Sequence, residues 1–364
     1  MVQTRRTGGL LNVLSEMVKR FLQVAEPPAR RMTMQSIAHS DSELRTPILG
    51  FGCSAIMGRV GRKASLAALT VAYDSGVIFY DTARSYGYGE SEALLGEFLR
   101  GRRDQVLLST KFGILPTASG SLKRMLKPLA RALLQSAPSA RRAMQGQLAS
   151  MSSTGHFSVA ALHASLHASL RALRTDYVDF LFLHEPPASI LQQDDLFAAL
   201  RQWVAVGKVR RFGIASQPDG VEAAIAAQVP GIQAVQCPCN LFNLALAGRW
   251  RGASEMIAIA NHPFGGGAGI AAGKALLTRL ARAPATPATL REKLSPTDDA
   301  LLADVVLNTI TRDTGVHVVV PSMLQLGHLR ANVAAMHHSR FTSEDIHWLR
   351  EAIAASTPDR SLDL

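Results

Sequence analysis

The chain has 364 residues, 47% of them apolar, enough for one large core, and no run of about 18 apolar residues that would span a membrane as a helix. Three cysteines (Cys53, Cys237, Cys239) exclude a disulfide framework and point to a reducing compartment, so a cytoplasmic location is expected. The net charge of +11 is unevenly spread: residues 114–157 hold Lys123, Arg124, Lys127, Arg131, Arg141 and Arg142 and no acid.

In chain order, residues 1–44 read as an N-terminal extension. Leu10, Leu11, Leu14, Val18, Phe21 and Leu22 share one helical face there, and Glu26-Pro-Pro ends that helix. From residue 46 short apolar runs alternate with helical periodicity. Strands are predicted over 48–53, 77–82, 106–112, 177–184, 209–215, 233–237, 256–261 and 316–320. Helices are predicted over 63–75, 90–100, 158–174, 192–206, 218–227, 298–314, 325–336 and 343–355. Eight strands alternating with helices predict an α/β fold, the (β/α)8 barrel, over residues 45–340. A C-terminal helix and tail follow over 341–364.

Two segments break the rhythm. The basic insertion 114–157 follows the third strand, with Leu122, Met125, Leu126, Leu129 and Leu133 on one helical face and Pro128 to kink it. The run 265–297, rich in Gly, Ala and Pro, follows the seventh strand and reads as a second insertion. Loops after strands line the catalytic face of such a barrel, so both are expected to overhang it. The basic segment is a solvated surface or a peripheral contact for anionic surfaces. It lacks the aromatic motifs of RNA readers, so no nucleic-acid partner is expected.

Gly50-Phe-Gly52-Cys-Ser-Ala55 matches a dinucleotide fingerprint, but that pattern needs a helix opening directly through it. Here Gly58 and Gly61 follow, and the helix is expected to start near Arg62. A strand-to-loop passage at a barrel rim fits better. Cys237-Pro-Cys239 has no further ligands at metal spacing and reads as core, so no metal is expected.

The chemistry concentrates at strand ends. FYDTARSYGYGESE ends a strand in Asp81 and places Tyr86 on the following turn, STKFG ends the next in Lys111, and FLFLHEPP the next in His184. A phenol titrates near 10 and is a weak acid at neutral pH. An adjacent ammonium is expected to lower that pKa, a carboxylate to hold the ammonium, and an imidazole to orient a carbonyl oxygen. Together they make an acid poised against a carbonyl. Tyr80 is set aside because it alternates to the opposite strand face from Asp81, and Tyr88 ranks second to Tyr86.

These stretches, with FGCSA, LRTDYVDFLFLHEPP, GKVRRFGIAS, VQCPCNLFN and VVVPSMLQLGHLRANVAA in that order, resemble the aldo-keto reductase family over about residues 47–336. The resemblance implies a barrel that binds NADP(H) or NAD(H) across its C-terminal face. It also implies hydride exchange with a small carbonyl or alcohol substrate (aldehyde, ketone or sugar-like). By the same resemblance Tyr86 is the general acid/base, Lys111 tunes it, Asp81 pairs with Lys111, and His184 positions substrate. Ser216 and Gln236 would meet the nicotinamide amide. His262, Pro263, Phe264, Gly265 and Gly266 would line the cofactor, with Asn261 or His262 at the stacking position. Ser322, His328 and Asn332 would meet its adenosine end. His328 stands near the usual arginine, which leaves NADP against NAD open. A cofactor-binding redox sensor with little turnover is the alternative from another class.

Overall fold

The computed structural model describes residues 33–39, 42–58, 60–116, 155–244 and 256–356. The amphipathic stretch at 10–22, the core of the basic insertion (117–154) and the tail beyond 356 lie outside them.

A two-stranded antiparallel ribbon, β1 (Ser36–His39) and β2 (Ser42–Pro47), comes first. Eight parallel strands follow: β3 (Gly50–Gly52), β4 (Phe79–Asp81), β5 (Leu107–Phe112), β6 (Val178–His184), β7 (Val209–Ala215), β8 (Ile232–Pro238), β9 (Ile257–Asn261) and β10 (Val316–Val320). Each hydrogen-bonds to the next in sequence order. The ends meet through a parallel bridge from Leu49 to Val319 and through Gly52 N–H donating to the Pro321 carbonyl at 2.9 Å. The sheet is thus a nearly closed barrel, and every predicted strand lies in it.

Glycine makes the seam possible. A Cβ on Gly50 would sit 2.7 Å from Val320 Cγ1, and one on Gly52 3.1 Å from the Val320 carbonyl oxygen. The glycines of the apparent fingerprint therefore bring β3 against β10, and the next helix opens only at Arg62.

The helices are α1 (Arg62–Asp74), α2 (Ser91–Phe98), α3 (Val159–Leu173), α4 (Asp194–Ala205), α5 (Pro218–Ala226), α6 (Gly266–Arg282), α7 (Ala288–Lys293), α8 (Asp299–Thr311), α9 (Leu326–His337) and α10 (Ser343–Ser356). Their starts carry ordinary signals. Ser158 Oγ accepts from Ala161 N–H at 3.1 Å ahead of α3, Asp298 Oδ1 accepts from Leu301 N–H at 2.7 Å ahead of α8, and Pro218 opens α5. Buried Leu162, Leu166, Leu170 and Leu173 along α3 explain why this stretch is helical and packed on the sheet.

The run 265–297 corrects the sequence expectation, because most of it is helix (α6 and α7). Gly269 and Gly273 are spaced four apart on the buried face of α6 with Leu276, Leu277 and Leu280. A Cβ on Gly273 would lie 3.0 Å from Leu302 Cδ1 of α8, so glycine there permits close helix packing. The ribbon was also unforeseen. Leu44 packs on the cluster that fills the barrel interior, which puts the ribbon over the end opposite the strand C-termini.

Strand alternation divides the core. Phe79, Leu107, Phe180, Phe182, Ala234, Ile257, Ile259, Val318 and Val320 form the inner cluster, while Tyr80, Leu108, Leu181 and Val235 face the helices. Asp81, Lys111, His184, Gln236 and Asn261 continue the inner set by parity. They are the layer in which the apolar filling turns polar, at the C-terminal mouth.

Candidate active site

Asp81 ends β4 and Lys111 lies on β5, 4% and 1% exposed. Lys111 Nζ donates to both Asp81 carboxylate oxygens at 2.7 Å and to the Thr82 carbonyl at 3.1 Å. Ser109 Oγ donates to Asp81 Oδ1 at 2.6 Å, so the carboxylate is held from two neighbouring positions on β5. Burial works against the Lys111 charge, but Asp81 and Tyr86 outweigh it and raise the ammonium above its usual range.

Tyr86 opens the short turn Tyr86–Gly89 after β4. Gly87 takes a left-handed conformation with its Cα against the neighbouring loop. A Cβ there would be 2.3 Å from the Ile56 carbonyl oxygen, so the turn that presents Tyr86 requires glycine. Lys111 Nζ stands 4.8 Å from the Tyr86 ring centroid. The His184 ring meets the Tyr86 ring edge to face, centroids 5.9 Å apart at 86°. Four residues from three strand ends and one turn thus converge. Tyr80, buried, packs its ring against Phe51 and Phe98, away from this group. Tyr88 is 49% exposed on the rim.

The electrostatics correct one expectation. Burial raises the Tyr86 phenol above 10, and the Lys111 ammonium only opposes that rise. The phenol therefore keeps its proton at neutral pH, which is the form a proton donor needs. His184 is pushed down to about 3 by burial and then by the Lys111 charge, so its imidazole is neutral. Its Nδ1 is buried with no partner among the described residues. Cys53 lies close enough to feel Asp81 and Lys111, and burial drives its thiol well up.

The His184 shift has a signed consequence. The unfolded imidazole takes up a proton near 6.5 and the folded one near 3. Folding stability is therefore unaffected by this group above 6.5, falls as pH drops through that range, and levels off near 3. Denaturant unfolding at pH 7 and pH 4.5 should give a larger loss for the wild type than for His184→Gln.

The family model described as Aldo/keto reductase family matches residues 48–354. The chain belongs to the aldo/keto reductase family. It is 30% identical over 169 residues to an aryl-alcohol dehydrogenase [NADP(+)] of Phanerodontia chrysosporium, a stretch covering 45% of this chain and 37% of that protein. It is 25% identical over 215 residues to an aldo-keto reductase of Bacillus subtilis, covering 57% and 55%. The matched part thus spans about a third to a half of those relatives. The holo form of an aldo-keto reductase from Bacillus halodurans superposes with TM-score 0.63 at 20% identity, covering 88% of this chain and 96% of that one. A Klebsiella pneumoniae aldo/keto reductase in complex with NADP and acetate gives 0.58 at 22%, covering 90% and 97%.

In this aldo/keto reductase the positions expected to face a dinucleotide fall into three groups. Ser216, Gln236 and Asn261 sit together at the ends of β7, β8 and β9. Gln236 is fully buried, yet neither its Oε1 nor its Nε2 has a partner among the described residues, nor has Asn261 Oδ1. His262, Pro263, Phe264, Gly265 and Gly266 form the turn into α6. His262 is exposed and left-handed, Pro263 is buried, and Gly265 and Gly266 are left-handed at φ 60° and 68°. Ser322 is exposed in the loop after β10, His328 lies half-exposed on the first turn of α9, and Asn332 is buried one turn on.

Two residues escaped the sequence reading. His328 Nε2 lies 3.4 Å from Asp299 Oδ2, and Lys274 Nζ lies 2.6 Å from Asp299 Oδ1, so an acid shares the expected adenosine end. Glu185, next to His184, accepts from Ser216 Oγ at 2.7 Å. The Asp299 contact joins three separate helices and leaves no local trace in the sequence. The EPP that follows His184 was a signal available but unused. Among the described residues no group of three metal-ligating side chains occurs, and Cys237 and Cys239 are buried, the former with its thiol raised to about 12 by burial.

Proposed function

We propose that this protein is an NAD(P)-dependent oxidoreductase that exchanges a hydride with a carbonyl or alcohol substrate, with Tyr86 as general acid/base. The observation that carries the reading is the convergence at one barrel mouth of the half-buried Tyr86 phenol, the Asp81-anchored Lys111 ammonium 4.8 Å from its ring, and His184 edge to face with it. A bound nicotinamide supplies or accepts the hydride. Tyr86 Oη hands its proton to the carbonyl oxygen as charge develops there, and takes it back in the oxidative direction. Lys111 stabilises the phenolate left behind, and Asp81 keeps that amine charged and aimed. His184, uncharged, hydrogen-bonds the same oxygen and sets its angle.

The residues present suit a nicotinamide dinucleotide. The orphaned amide of Gln236 and the orphaned Asn261 Oδ1 want a buried partner that both donates and accepts, as a primary carboxamide does. The left-handed pair Gly265–Gly266 at the start of α6 leaves backbone accessible to a pyrophosphate. Names among the relatives, an aryl-alcohol dehydrogenase and norsolorinic acid reductases, support an aromatic carbonyl or alcohol as the class to screen first.

Fluorescence titration of the purified protein with NADPH and NADH tests this directly. Micromolar or tighter binding of at least one, followed by its oxidation in the presence of an aryl aldehyde, is expected. Binding of neither removes the proposal. The adenosine end argues for comparable affinities, because Asp299 engages both Lys274 and His328 and leaves them weaker partners for a 2′-phosphate than an unengaged guanidinium.

A further inference from the structure

Glu185 directly follows His184 and is left-handed, with φ 55°. A glutamate has no intrinsic reason to adopt that backbone, and such outliers gather where a side chain is needed in one place. Here the turn lets Glu185 N–H donate to the Ala215 carbonyl at 2.8 Å and swings the side chain across to the end of β7. Its carboxylate accepts from Ser216 Oγ at 2.7 Å, from Gln217 N–H at 3.2 Å and from Gln217 Nε2 at 3.5 Å. On the other side, a Cβ on Gly220 would meet Ser216 Oγ at 2.3 Å, so glycine clears the space that this hydroxyl occupies.

We infer that Glu185 is a positioning residue that fixes the Ser216 hydroxyl as a hydrogen-bond acceptor for the amino group of the nicotinamide carboxamide. This rests on the dinucleotide reading above. A carboxylate accepts and does not donate, so the single hydroxyl proton of Ser216 is committed to Glu185 and its lone pairs are left to accept. Ser216 N–H donates to the Gln236 backbone carbonyl at 3.0 Å, which ties the end of β7 to the strand that carries the unpartnered Gln236 amide. The group then offers acceptors at Ser216 Oγ, Gln236 Oε1 and Asn261 Oδ1 and a donor at Gln236 Nε2. A primary amide, with two N–H donors and one carbonyl, complements that polarity. Without Glu185 the hydroxyl rotates freely and donates or accepts alike.

The test compares oxidised nicotinamide adenine dinucleotide with its 3-acetylpyridine analogue, which keeps the carbonyl and lacks the amino group. Dissociation constants for both are measured by competition against reduced cofactor fluorescence. The wild type should favour the amide form by roughly three- to tenfold, the worth of one hydrogen bond. Glu185→Ala should bring that ratio close to one, chiefly by weakening the amide form. Glu185→Gln, whose amide oxygen still accepts from Ser216 and Gln217, should keep most of the preference. If Glu185→Ala weakens both ligands by the same factor, or if Glu185→Gln loses the ratio as fully as the alanine variant, Glu185 does not set the polarity of Ser216. A wild type that binds neither dinucleotide removes the proposed function as well, an outcome distinct from uniform weakening in the variant.

Discussion

Tyr86→Phe should lower turnover with a carbonyl substrate by about two to four orders of magnitude and leave dinucleotide affinity within a factor of two. The substitution removes one oxygen. The ring keeps its edge-to-face contact with His184 and its place beside Lys111, and Gly87 still forms the turn. Lys111 stays bound to Asp81 and the Thr82 carbonyl, so no buried charge is orphaned. What disappears is the only proton donor in the group with a pKa above neutrality that is not engaged as a cation. Because burial holds the phenol above 10, reduction by the wild type should be level through neutral pH and decline only on the alkaline side. The oxidative direction should gain as pH rises. Near-normal turnover in the phenylalanine variant would remove Tyr86 from its role. A wild type that binds cofactor yet turns over nothing across a broad carbonyl and alcohol panel would favour the redox-sensing alternative.

The parts of this molecule that sequence discloses are those where one local rule governs. Asp81, Lys111 and His184 are legible because each ends an apolar run at the same parity as the inward residues, so alternation along the strand aims them at one mouth. The eight strands were readable for the same reason. Where tertiary packing overrides local preference, the reading failed. Gly266–Arg282 looks hostile to a helix, but its glycines are contact points against Leu302 and the Phe264 backbone, and its leucines supply the burial that holds the helix. The direction of the Tyr86 shift was equally hidden, since an adjacent lysine can be inferred from sequence and the depth of burial cannot. Glu185 and Asp299 act through contacts 31 and 29 residues away, with Ser216 and His328, at positions that no periodicity marks.

The second large effect concerns the pair beneath the phenol. Lys111→Met leaves the Asp81 carboxylate buried against Ser109 alone, and Asp81→Asn leaves a buried ammonium with neutral acceptors only. Each should cost about 3–5 kcal/mol of unfolding free energy, because a paired charge has lost its partner in a place water barely reaches. The double variant Asp81→Asn, Lys111→Met removes both charges, so it should be more stable than either single one. Denaturant unfolding at pH 7 measures all four proteins. Activity should not follow stability: Lys111→Met and the double variant lack the charged amine that accommodates phenolate, and Asp81→Asn takes away the carboxylate that holds that amine, so each should lose turnover, and the double variant should recover fold without function. Recovery of turnover alongside stability would mean that the ammonium serves only the packing of the barrel mouth. The pH dependence carries the same sign. Lys111 is raised in the folded protein, so its contribution is complete below the ordinary lysine range and is lost as pH rises beyond it, a decline that Lys111→Met should not display.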